Sequence, residues 1–192
     1  MDGDEGYPGN MKVTVQYSLC DNSLNIRYTS NVDKDTLCSL TNHSYFNLSG
    51  HNSGIALNQH ILIYAHEYTP SRPDGIPLGT IESVENSPMD LRELFPIQTH
   101  INDNYQQLIQ AGGYDHNYVI NGVAGTLRPA AIAVVFHRPN RFSIAQQLPF
   151  CQLRSPFSPD FLPFARFRGR NFMENPILRK LRFWVMMKAQ KE

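Results

Sequence analysis

The sequence predicts an all-β protein, an antiparallel β-sandwich with one short helix. Three observations carry that prediction. Apolar and polar residues alternate over several short stretches, Gly and Pro recur between them, and before the C-terminal tail only one segment has a helical period. Hydrophobic residues make up 41% of the 192-residue chain, enough for a globular core and too many for a wholly disordered one.

Residues 11–19, MKVTVQYSL, place Val13, Val15, Tyr17 and Leu19 on one face and Lys12, Thr14, Gln16 and Ser18 on the other, the period of a half-buried strand. CDNS supplies turn chemistry, and Leu24, Ile26 and Tyr28 resume the alternation, so a hairpin is expected. Further strands are expected over 36–48 and 55–64. Residues 65–90 hold four prolines and two glycines and read as short extended pieces and turns. The helix is expected over 99–110, THINDNYQQLIQ, with Ile101, Tyr105, Leu108 and Ile109 on one face and Gly112-Gly113 as its stop. YDHNYVI and TLRPAAIAVV read as strands, Pro129 placing the second near an edge.

Composition changes abruptly after Val135. Residues 1–135 carry 14 acidic and 6 basic residues, a net of −8, whereas 136–192 carry 3 and 11, a net of +8. Nine of the eleven Phe and six of the thirteen Pro fall in that last segment, which follows no regular period until ILRKLRFWVMMKAQK, a stretch able to form a basic amphipathic helix. Two objects are expected, 1–135 and 136–192, the second a disordered or frame-shifted tail.

The whole-chain charge of zero argues against a nucleic-acid partner. No apolar run approaches the roughly 18 residues that span a bilayer, so no membrane partner is expected. Cys20, Cys38 and Cys151 are odd in number and widely spaced, which suggests free thiols in a reducing compartment. MDGDEGYPGN has no apolar signal region, and a cytoplasmic protein is expected. The sequons at Asn42 and Asn47 read as chance matches in that setting.

Of the seven histidines, His51, His60, His66, His100 and His137 lie in ordinary polar or turn-like surroundings, and no metal-ligand spacing accompanies them. His43 differs. It shares strand parity with Thr41, Tyr45 and Asn47, while Leu40, Phe46 and Leu48 take the other parity. That polar face suits the lining of a polyol-binding cleft, or a histidine that makes structural hydrogen bonds. Asp115 is either a turn aspartate capping a strand start or a carboxylate held at a strand edge to accept substrate hydrogen bonds. Asp90 is expected to pair with Arg92.

Taken together, DGDEGYPGNMKVTVQYSL, TNHSYFNLSG, YTPSRPDGIPLGTI with SPMDLR, and GGYDHNYVI resemble motifs of the aldose 1-epimerase (galactose mutarotase) family, in the family's order, across residues 2–121. The resemblance implies a sandwich of the galactose mutarotase type, an aldohexose such as glucose or galactose as partner, no cofactor, and interconversion of α and β anomers. A base takes the C1 hydroxyl proton while an acid protonates the ring oxygen, and the opened sugar recloses as the other anomer. By motif, His43 is the general acid and Asp115 holds sugar hydroxyls.

Departures from the family pattern set further expectations. The family's upstream segment, with an Asn-Arg pair and a second histidine, has no match before the EGYPG hairpin. Its glutamate base has none after Val135, where Glu174 and Glu192 stand in other contexts. The sandwich is therefore expected to be incomplete at both ends: a partial epimerase domain over 1–135, with little activity of its own, and an unrelated tail over 136–192. A non-catalytic carbohydrate-binding module is the alternative reading.

Overall fold

The computed structural model describes residues 2–20, 23–38, 40, 42, 45–50, 53, 56–136, 140–146, 150–154 and 181–185. It divides into two compact units, one holding the N-terminal hairpin and the other residues 43–185.

In the first unit, β1 (Met11–Cys20) and β2 (Ser23–Val32) pair antiparallel over their full length, from Met11 opposite Val32 to Cys20 opposite Ser23. The alternation sets this register, because one ladder places Val15, Tyr17 and Leu19 beside Tyr28, Ile26 and Leu24. Burial differs from the expectation: Val13, Val15, Tyr17, Leu19 and Leu24 are all exposed. The preceding turn is held by polar contacts. Asp2 accepts the Gly9 amide at 2.6 Å and pairs with Lys34, and Asp33 accepts the Asn10 backbone and side-chain amides, each at 2.7 Å. Gly9 needs its left-handed φ of 84°, and a Cβ there would stand 2.7 Å from Asp33 Oδ1.

The second unit contains β3 (Tyr45–Phe46), β4 (His60–Ile63), β5 (Ala65–Thr69), β6 (Glu82–Ser83), β7 (Phe95–Pro96), α1 (Gln106–Ala111), β8 (Asp115–Ile120), β9 (Arg128–Val135), β10 (Asn140–Gln146), β11 (Phe150–Arg154) and β12 (Leu181–Val185). One sheet has the order β10-β9-β4-β7, the other β3-β12-β11-β8-β5-β6, and every recorded pairing is antiparallel. A single buried cluster joins the sheets: Ile61 and Ile63 of β4 and Ala130 and Ala131 of β9 from one, Tyr68 of β5 and Tyr118 and Ile120 of β8 from the other. Each such isoleucine side chain gains about 1.5–3 kcal/mol by leaving water. The expected antiparallel sandwich is the fold observed.

Several elements are shorter or placed differently than the sequence suggests. The expected helix over 99–110 is a 3-10 turn, Ile97–Thr99, followed by α1 alone. Between them Asp103 accepts a hydrogen bond from His100 Nδ1 at 2.8 Å and its amide donates to the His100 carbonyl, a local turn that competes with the helix. Gly112 ends α1 in the left-handed region as expected, while Ile109, assigned to the apolar stripe, is exposed. The strand expected over 55–64 is confined to β4, since Gln59 N–H closes a turn on the Ala56 carbonyl. Over 36–48 the structure describes strand only at β3 and a single bridge at Leu40.

Pro129 lies in an interior strand, for β9 pairs with both β10 and β4. Pairing with β4 begins only at Ala131, and the β9–β10 register shifts beside Pro129, with Ala130 of β9 as the extra residue, so the missing N–H falls where one ladder has not yet started. Within 136–192, β10 and β11 are the ladder neighbours of β9 and β8. Residues 181–185, inside the stretch expected to be able to form a helix, are instead β12, paired with β11 and β3. Residues 155–180 and 186–192, and the disorder expected there, lie outside the described residues.

Candidate functional site

Asp115 opens β8, an interior strand of the six-stranded sheet between β11 and β5. Its neighbours alternate in burial: His116, Tyr118 and Ile120 are buried toward the core, while Asp115, Asn117 and Val119 on the opposite face are half-buried. The half-buried parity leaves the aspartate within reach of a solute at the sheet surface. Its register partner in β11 is Arg154.

The chain enters β8 through Gly112 and Gly113, both at positive φ, and then Tyr114, which is fully buried. Tyr114 Oη–H donates to the Pro88 carbonyl at 2.7 Å and Tyr118 Oη–H to the Met89 carbonyl at 3.2 Å, so β8 holds the SPMDLR segment in place. Burial pushes the Tyr114 phenol up from its ordinary pKa, keeping the donor protonated.

His116 is 1% exposed. The Asp115 backbone N–H donates to His116 Nδ1 at 3.2 Å, which requires that nitrogen to be bare. The proton therefore sits on Nε2 and is donated to Gln107 Oε1 at 3.1 Å. Burial lowers the imidazole pKa to about 4, so the ring is neutral at ordinary pH. Gln107, from α1, also accepts the Ser71 amide at 2.8 Å and donates Nε2–H to the Ser71 carbonyl at 3.1 Å. Ser71 bridges to Pro77, closing a turn in which Arg72 N–H bonds the Ile76 carbonyl and Gly75 takes a φ of 80°. Arg72 forks onto Asp74 at its tip, at 3.1 and 2.8 Å.

Asp90 is paired as the sequence implies, with two hydrogen bonds from Arg92 at 2.8 and 2.6 Å. The guanidinium holds the carboxyl below the usual carboxylate range. Arg92 also reaches His66 Nδ1 at 3.1 Å. Asn47, which shares the parity of His43, has its Oδ1 occupied by the Ser49 amide at 3.0 Å and Gln59 Nε2 at 2.7 Å. That acceptor is turned to structural use. His43, His51, His137, Glu174 and Glu192 lie outside the described residues. Gln107 and Ser71 carried no signal in the sequence as partners of the Asp115 strand. The Asp-His pair did, because strand parity turns its second member to the core.

Among the described residues no group of three His, Cys, Asp or Glu side chains could hold a metal ion, and no helix is long and apolar enough to cross a membrane.

These features define an antiparallel two-sheet sandwich with a half-buried carboxylate at the start of an interior strand. The sequence profile of the aldose 1-epimerase family matches residues 1–173, and the chain belongs to that family. An aldose 1-epimerase of Haemophilus influenzae is 41% identical over 123 residues, 63% of this chain and 36% of that protein. A galactose mutarotase of Mus musculus is 40% identical over 119 residues, 62% of this chain and 33% of that protein. The chain thus spans about a third of the length of the curated relatives it matches. The fold is shared with a solved galactose 1-epimerase of Lactobacillus acidophilus, with a TM-score of 0.73 at 22% identity, over 99% of this chain and 61% of that one.

Proposed function

We propose that the chain derives from an aldose 1-epimerase of the cytoplasm and supplies the general acid and a sugar anchor of its site. In that reading His43 protonates the ring oxygen of an aldohexose such as galactose or glucose, and Asp115 accepts hydrogen bonds from sugar hydroxyls. Histidine suits the acid because its ordinary pKa lies near neutral pH. The observation that carries the reading is the placement of Asp115, half-buried at the first residue of an interior strand, on the face opposite the core.

The base of the reaction has no matched residue in this sequence. Loss of a positioned base costs about 10²–10⁴ in rate, so the 192 residues by themselves are expected to bind sugar and to accelerate anomer exchange little. The composition change at Val135 is read as a change of reading frame over 136–192, a reading set against a family profile that runs on to residue 173. Translating the parent DNA in all frames should then yield a glutamate motif downstream.

Two measurements on the chain test the function. Galactose titrated against the labelled protein should shift the Asp115 amide, and Asp115→Asn should abolish binding. Polarimetry of freshly dissolved α-galactose should show equilibration close to the buffer rate, beside a full-length relative that works. Strong acceleration that survives His43→Ala would overturn the assignment of the acid.

A further inference from the structure

The sugar anchor just proposed stands next to a buried histidine that the anomer exchange does not use. We propose that His116 is a positioning residue for Asp115, its ring tying the aspartate's backbone amide, through Gln107, to the turn over residues 71–77. This rests on the reading of Asp115 as the sugar anchor.

The geometry is continuous. Asp115 N–H donates to Nδ1, Nε2–H donates to Gln107 Oε1, and both polar ends of the Gln107 amide are engaged by the backbone of Ser71. Gln107 thereby occupies the place of a neighbouring strand beside Ser71, satisfying its N–H and its carbonyl together. The order of donors fixes the tautomer. Were Nδ1 the protonated nitrogen, two N–H groups would face each other at Asp115 and Nε2 would lose its acceptor. Packing fixes the ring plane, since Tyr68 stands edge-on to it with ring centroids 5.9 Å apart. Asp115 therefore begins β8 with its amide held from the core side and its side chain on the opposite parity, and any shift of the 71–77 turn is felt at the anchor. A site group serves best when its own support is locked in this way.

The test uses the full 192-residue chain, labelled with ¹⁵N, and galactose as the probe. Long-range proton–nitrogen spectra should show His116 with bare Nδ1 and protonated Nε2, unchanged from pH 7.5 to 5.5. His116→Asn keeps an acceptor near the Nδ1 position and should keep most of the galactose affinity. His116→Leu, of similar bulk, should retain the fold by amide dispersion yet weaken binding about tenfold, the size of one lost buried hydrogen bond. Gln107→Met serves in its place if that variant does not fold, and should make the ring lose its fixed tautomer.

The outcomes separate. A protonated Nδ1, or a His116→Leu variant that binds as tightly as wild type while Asp115→Asn does not bind, overturns the positioning role. Unchanged binding by Asp115→Asn, or no binding by the wild-type chain, instead overturns the sugar reading. In that case the ring tautomer and the exchange rate of the Asp115 amide in His116→Leu still decide whether His116 positions it.

Discussion

Acidification to pH 4.5 should destabilise the sandwich unit through His116. The imidazole is buried and neutral, with a pKa of about 4 in the folded protein against an ordinary 6.5. Between those values the unfolded chain binds a proton that the folded chain refuses, so stability falls as pH falls. The contribution is fully present above pH 6.5 and is lost progressively down to about 4. From pH 7.5 to 4.5 the difference amounts to about 2.5 kcal/mol, a large share of the 5–15 kcal/mol that holds a typical domain folded. Asp90, held below the carboxylate range by Arg92, protonates at lower pH and does not mimic the effect. Urea unfolding followed by far-ultraviolet circular dichroism at both pH values measures it, beside His116→Asn, which has no ring to titrate. An equal pH dependence in that variant would refute the argument, because the proton uptake would then belong to other groups.

Ile63→Ala should cost about 2–5 kcal/mol, since Ile63 is 1% exposed within the cluster joining the two sheets; urea midpoints at constant slope would show it. Gly9→Ala should destabilise the hairpin unit by about 1–2 kcal/mol from the left-handed backbone alone, with more from the contact with Asp33, read as faster exchange of the Asn10 amide. Arg92→Ala should cost no more than about 1 kcal/mol, because both side chains of the Asp90 pair are about a third exposed, and its thermal midpoint should shift little.

The sandwich was legible wherever alternation is local. Val13 to Leu19 and Leu24 to Tyr28 announce their hairpin, and YDHNYVI announces the strand found as β8. Burial of the hairpin was not legible, because alternation shows that a strand has two unlike faces and is silent on what covers the apolar one. The helix was over-read: Ile101 and Leu108 are buried as its period implied, but Asn102, Asp103 and Asn104 favour a turn between them. Pro129 argued for an edge, yet its missing donor costs little where β4 has not begun to pair. The support of Asp115 could not be read from sequence, since it joins Ser71, Gln107 and His116, and no local rule links residues so far apart.

The pairing of β4 with β9 also sets an order in time. Hairpin β1–β2 needs only its own residues and can close in about 1–10 μs. His60 must wait for Val134, roughly 70 residues later, which at about 5–20 residues per second of synthesis is several seconds. Through that interval β4 has at most the short strand β7 on one side and nothing on the edge that β9 will take, and an unpaired apolar strand edge is an invitation to other chains. The nascent protein is thus most exposed to aggregation while the segment between β4 and β9 is still being made, and a pause in translation there should lower its soluble yield.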